Sequence, residues 1–188
     1  MKKAFLCSVL ALGISAPLFT GCNTPTTPKT DEAKANLTDD VQACLNRFER
    51  DDSGLKTFLD NSTAYVVFPS VGKGGLIAGG AFGRGQVFEK GQLSGYAKLT
   101  QASIGLQAGG QEYAELVVFG TPDAFQKFKD QKFEFGANAS AVAMKSGAAS
   151  ASSFRDGVAV FTEVKGGFMA DLSMTGQKLT YSPTEITE

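Results

Sequence analysis

Lys73, Arg84 and Lys90 stand among glycines in the stretch KGGLIAGGAFGRGQVFEKG, which begins at residue 73. Glycine-flanked cations suit a loop that lays backbone N–H groups and a positive charge against phosphate. The spacing excludes the nucleotide-binding versions of such a loop. A phosphate loop needs a hydroxyl directly after its lysine to hold magnesium, and here Gly74 follows Lys73. The dinucleotide pattern G-x-G-x-x-G also fails, because Gly72 and Gly74 are followed by Ile77, and Gly83 and Gly85 by Phe88. The glycines are better explained as positions where strands bend or approach closely. Packing does not call for the cations. Lys73, Arg84, Lys90 and, a little further on, Lys98 are therefore the candidate contacts for an anionic headgroup.

Catalytic chemistry is poorly provided for. The chain has no histidine, which removes Ser-His-Asp and Cys-His nucleophile systems, imidazole zinc sites and the usual general base near neutral pH. Glu112 and Glu115 are separated by an odd number of residues on an expected strand and should face opposite ways. In Asp51-Asp52-Ser53-Gly54 the glycine comes too early for a calcium loop, so a helix end followed by a cap is expected. The expectation is a protein that is not an enzyme and needs no cofactor or metal.

The N-terminal residues direct the chain elsewhere. Two lysines, an apolar run from Ala4 to Ile14 and small residues ending at Gly21-Cys22 read as a secretory signal, too short to cross a bilayer. Leu18-Phe19-Thr20-Gly21-Cys22 resembles the bacterial lipobox, in which the cysteine is acylated and becomes the first mature residue. Residues 1–21 are then a lipoprotein signal peptide and Cys22 the lipid attachment point. Asn23, rather than Asp, after the cysteine implies sorting to the outer membrane, facing the periplasm. Cys7 leaves with the signal, so Cys44 has no partner; it lies on the stripe Leu37, Val41, Cys44, Leu45, Phe48 and reads as a small core hydrophobe.

Removing Lys2 and Lys3 takes the net charge from −1 to −3, which does not suit wholesale nucleic-acid binding. The excess is uneven: residues 64–110 carry Lys73, Arg84, Lys90 and Lys98 against Glu89 alone, a net of +3. The glycine-rich segment is the basic one.

Elements that could position these residues follow from patterning. Residues 23–36 lack apolar periodicity and are rich in Thr and Pro, which suits an extended stretch, so residues 22–37 are expected to be a lipidated tether. Thr38-Asp39-Asp40 caps a helix expected over 39–50, and Ser53 a shorter one. From Ala64 the period becomes that of strands: AYVVF stopped by Pro69, turns at Gly72–Gly75, a strand over 76–88, a hairpin turn at EKGQ and a return from Leu93 towards Ala108. In that return the apolar parity switches, which predicts a bulge or sharp bend near Thr100–Gln101. YAELVVF, a helix opened by Thr121-Pro122, and alternating strands over 158–164 and 168–174 complete the pattern. Residues 139–153 fit either a strand or a loop. The fold class expected is α+β, mainly antiparallel β, with a strongly bent or barrel-like sheet and a few peripheral helices.

The blocks AYVVFPSVGKGGLIAGGAFGRGQVF, SIGLQAGGQEYAELVVF, KFEFGANASAVA and VKGGFMADLSMTG, in this order, resemble the SYLF domain, also called an actin-binding domain in its fungal members. The resemblance covers roughly residues 38–182, within a domain of 38–188. It implies a mainly antiparallel β fold and a tendency to meet anionic membrane headgroups. Lys73 and Arg84 fall on the family's motif positions; Lys90 and Lys98 rest on charge alone. Eukaryotic relatives bind phosphoinositides and in some cases actin filaments, and actin is not an expected partner in a bacterial envelope. The expected function is an acylated envelope lipoprotein that binds lipid headgroups or another anionic envelope component. The alternative is a structural or protein-interaction module without a specific lipid site, whose protein partner the sequence does not name.

Overall fold

Thr30, not Thr38, caps the first helix in the computed structural model, which describes residues 26–75, 78–104, 110–133, 135, 141–166 and 176–184. Its hydroxyl accepts from the Ala33 N–H, and Asp31 and Glu32 occupy the first turn of helix α1 (Asp31–Asp51). Thr30-Asp31-Glu32 carries the same signal as Thr38-Asp39-Asp40, and the residues between them tolerate helix, so the earlier cap wins. Thr38 sits inside the helix and donates to the Lys34 carbonyl. The extended tether expected over 22–37 is correspondingly shorter, since residues 31–37 are helical. Val41, Cys44, Leu45 and Phe48 form the buried stripe read from the sequence.

Helix α2 (Leu55–Asp60) is capped at Gly54 without a side-chain bond, so Ser53 is not its cap. Asp52 does the joining instead. Its Oδ1 accepts from the Gly54 N–H at 2.9 Å and its Oδ2 from the Ala149 N–H at 2.6 Å, tying the first helices to α4 (Ala148–Ala151).

Among the described residues seven strands form one sheet: β1 (Ala64–Gly75), β2 (Ala78–Glu89), β3 (Gln92–Ile104), β4 (Gly110–Phe119), β5 (Val142–Ala143), β6 (Val158–Gly166) and β7 (Gln177–Pro183). The order is β5-β6-β4-β1-β2-β3-β7, antiparallel except for β5 beside β6. Strand β1 is not stopped at Pro69. It runs on to Gly75 through a register shift that both neighbours share, between Val67 and Ser70 against β2 and between Phe68 and Val71 against β4. A bulge is how a central strand accommodates a residue that has no N–H to donate. The glycines at 72, 74 and 75 are therefore paired strand residues and not a turn.

The β2–β3 hairpin closes as expected on Lys90 (φ 53°) and Gly91 (φ 78°), two left-handed residues between the Glu89–Gln92 pair, as a type I′ turn requires. The bulge expected near Thr100–Gln101 is absent: β3 stays in register with β2 from Gly95 to Ile104, and the shift in that ladder falls between Val87 and Phe88. Ala102, the first apolar residue of the other parity, is exposed. Parity there follows which face is covered. Without that corner the sheet stays open, with β5 and β7 as its edges, so the barrel-like form is not found. The strand expected over 168–174 lies outside the described residues, and β7 is a strand the sequence reading does not place.

Helices cover both faces. On one, α1, α2 and α4 pack over Val67, Leu116, Val118, Ala159 and Phe161. On the other, α3 (Pro122–Lys129), capped by Thr121 with Pro122 in its first turn as expected, buries Phe125 and Phe128 against Phe119, Val117, Val160 and Leu179. Helix α1 lies across the strands. Thr27, just before it, donates to Ser182 on β7; Thr38 in its middle accepts from Gln86 on β2; and Arg47 near its end pairs with Glu163 on β6 at 3.1 Å.

Candidate functional site

Cross-strand partners in an antiparallel sheet present their side chains to the same face. Ser70, Arg84, Lys98 and Thr180 are successive partners across β1, β2, β3 and β7. They form a row on the α1 face, beside the row of Gln86, Tyr96 and Ser182 that α1 covers. The row beyond holds Phe82, Thr100 and Lys178. Arg84 and Lys98 are thus directly opposite each other, and Lys178 is diagonal to Lys98. Arg84 and Lys98 are partly exposed, Lys178 is exposed, and Phe82 is 41% exposed with the Arg84 guanidinium 5.8 Å from its ring centre. The Arg84 Nε is buried and has no hydrogen-bond partner among the described residues. The pairing sets a guanidinium, an ammonium and an apolar ring side by side on one part of the face. Such an arrangement can bind a phosphate-type anion between a planar guanidinium fork and an ammonium.

The other two candidates are elsewhere. Lys73 pairs with Ala81 and Gln111, and its parity is that of Val71, so it belongs to the α3 face. Lys90 is exposed in the hairpin turn, six residues from Arg84, or about 20 Å along the strand. The structure brings Arg84 and Lys98 together and separates both from Lys73 and Lys90. Cys22 lies outside the described residues. Neither Lys178 nor Phe82 stands out in the sequence, although QKLTYS at residue 177 does alternate polar and apolar residues.

Glu112 and Glu115 take opposite faces, as their spacing predicts. Glu112 is exposed, accepts from Ser70 at 2.9 Å and pairs with Lys165 at 3.5 Å; the Ser70 hydrogen bond and the Lys165 charge hold its carboxyl below the usual range. Glu115 is wholly buried on the α3 face. Burial pushes its carboxyl up to about 7, opposed by a hydrogen bond from Gln177 Nε2 at 3.1 Å, and its Oε1 has no partner among the described residues. Gln177 belongs to β7, which three strands separate from β4 in the sheet order, so this hydrogen bond is made across the α3 face and not between neighbouring strands. The carboxyls of Glu112 and Glu115 face apart and cannot act on one substrate atom.

A family model described as Ysc84, Las17-binding protein actin regulator, matches residues 100–185, from the end of β3 through β7. Over these residues the match agrees with the resemblance to the SYLF domain read from the sequence. No curated protein matches it. The matched stretch includes Thr100, Lys178 and Thr180 of the basic face, while Phe82, Arg84 and Lys98 precede it in sequence.

Proposed function

We propose that this chain is a non-catalytic, acylated envelope lipoprotein whose SYLF domain contacts anionic headgroups through Arg84 and Lys98, with Lys178 and Phe82 at the margin. The observation that carries this reading is the direct cross-strand pairing of Arg84 and Lys98 on the part of the α1 face that the helix leaves open. Lys73 and Lys90 drop out of the site because of where they lie. Their separation favours the second reading, a protein-interaction module without a lipid site. Actin regulation is what the family model describes, and it is not carried over to a protein held in a bacterial outer membrane.

Near a negatively charged surface each basic residue contributes about 1 kcal/mol, so Arg84→Ala/Lys98→Ala should weaken binding to anionic vesicles by ~30-fold. The measurement is co-sedimentation of the chain from residue 22 onward carrying Cys22→Ser, which contains every described element. Binding should fall as salt rises, since screening shortens the reach of exposed charges. Lys73→Ala and Lys90→Ala should bind like the parent. Equal pelleting with neutral and anionic vesicles, or a folded double variant that binds undiminished, leaves the interaction-module reading in place.

Acylation at Cys22 has its own test. The intact chain should fractionate with membranes and take up labelled palmitate, and Cys22→Ser should lose the label, because two acyl chains are needed for stable anchoring. Label retained by the Cys22→Ser form would place the lipid elsewhere.

A further inference from the structure

We infer that the open part of the α1 face, bearing Phe82, Arg84, Lys98 and Lys178, lies on the same bilayer that holds Cys22, so that anchor and basic face act on one leaflet. This rests on the reading that the face contacts anionic headgroups. The independent observation is where the chain leaves the domain. Thr27 Oγ1 donates to Ser182 Oγ at 2.8 Å, and Ser182 is on β7 on the face that carries Thr180 and Lys178. Along the strand, Thr180 is about 7 Å and Lys178 about 13 Å from Ser182. Cys22 precedes Thr27 by five residues, which span at most about 18 Å even when fully extended. An anchor at Cys22 therefore keeps the β7 edge within one short chain length of the bilayer, on the side where the cations are.

Charge and exposure then choose among the ways the domain could lie. Glu112, the acid on the neighbouring strands of this face, is engaged by Ser70 and Lys165. Phe82 stands 41% exposed next to Arg84, an apolar ring at the level where headgroups meet acyl chains. The opposite face is occupied by α3 and its phenylalanines. A tether this short gives an effective concentration in the millimolar range, enough to hold a contact that would be transient in free solution. Lipid and basic face then act as two anchoring signals on one membrane.

The test uses the absence of tryptophan from the chain. Phe82→Trp gives a single reporter on the proposed face, and Val164→Trp a control on the α3 face, where Val164 is 47% exposed and pairs with Tyr113. Each variant, taken from residue 22 onward, is coupled through Cys22 to a maleimide lipid in vesicles of zwitterionic and anionic phospholipid with brominated acyl chains. Cys44 does not compete, because it is buried and burial pushes its thiol up to about 11. The Phe82→Trp reporter should shift to the blue and lose most of its emission, with quenching reduced in neutral vesicles, while the Val164→Trp control stays unquenched. Quenching of the control alone, of both equally, or of neither overturns the orientation. A face that pairs with a second copy would shield the indole of Phe82→Trp from a soluble quencher as protein concentration rises without vesicles, and that result also overturns it. Salt-sensitive pelleting of the untethered chain with an unquenched Phe82→Trp reporter on the tethered one sinks this inference alone; loss of pelleting sinks the headgroup reading as well.

Discussion

At pH 8 a Glu115→Gln variant is expected to be more stable than the parent, and the parent's melting temperature is expected to fall between pH 5 and pH 8 while the variant's stays level. Glu115 is wholly buried, its carboxyl lies at about 7, and burial is the larger cause, with the Gln177 hydrogen bond working against it. A carboxyl whose folded pKa is raised binds its proton more tightly in the folded state. Stability is therefore complete below the unfolded value near 4.5 and is lost as pH rises through about 7. The span corresponds to on the order of 3 kcal/mol. A glutamine keeps the acceptor for Gln177 and removes the charge, but its amide hydrogens need partners, which returns about 1–3 kcal/mol of the gain. The difference in pH slope is thus a cleaner readout than the absolute melting temperature. Parallel pH profiles for the two proteins would mean that another group titrates.

The second large effect is expected at Gly85. An alanine Cβ there would run into the Val67 carbonyl oxygen and come within 2.9 Å of Phe68 Cδ1, both on β1 at the edge of its bulge. Neither can give way cheaply, because β1 is a central strand paired on both sides. Gly85→Ala should cost about 3 kcal/mol or more, a large share of the margin of a typical domain, and show as a lowered urea midpoint or lost soluble yield. Gly72→Ala and Gly74→Ala meet nothing within 4 Å and should be far milder. The glycines around the cations are thus unequal, and those facing the bulge are the ones the backbone requires. A Gly85→Ala protein as stable as the parent would show that the strands can separate there without cost.

Much of this is legible in the residues alone. The α1 stripe, the Lys90-Gly91 turn, the Thr121-Pro122 cap and the opposed glutamates follow from local rules, since each depends on residues within one turn or one strand. What fails depends on partners distant in sequence. Pro69 reads as a stop because nothing local says that both neighbouring strands will share its bulge. The change of parity at Thr100–Gln101 reads as a bend because the sequence does not say where a helix ceases to cover the face. Proximity and charge group Lys73 with Arg84, but the shift at Pro69 decides which face Lys73 takes. Lys178 escapes notice because β7 follows a glycine-rich stretch and offers only Leu179 and Tyr181 as apolar residues.

The attachment of β7 sets the order in which the sheet can be assembled. Its Leu179 pairs with Leu99 on β3, Gln177 supplies the hydrogen bond to Glu115, and Ser182 meets Thr27 across a separation of 155 residues. Local hairpins such as β2–β3 can form on their own, whereas these contacts must wait for long loops to close, which places folding in the slow, millisecond-to-second class. Until then β3 presents an unpaired edge and Glu115 lacks its hydrogen bond. That interval is when the chain is most exposed to edge-to-edge association.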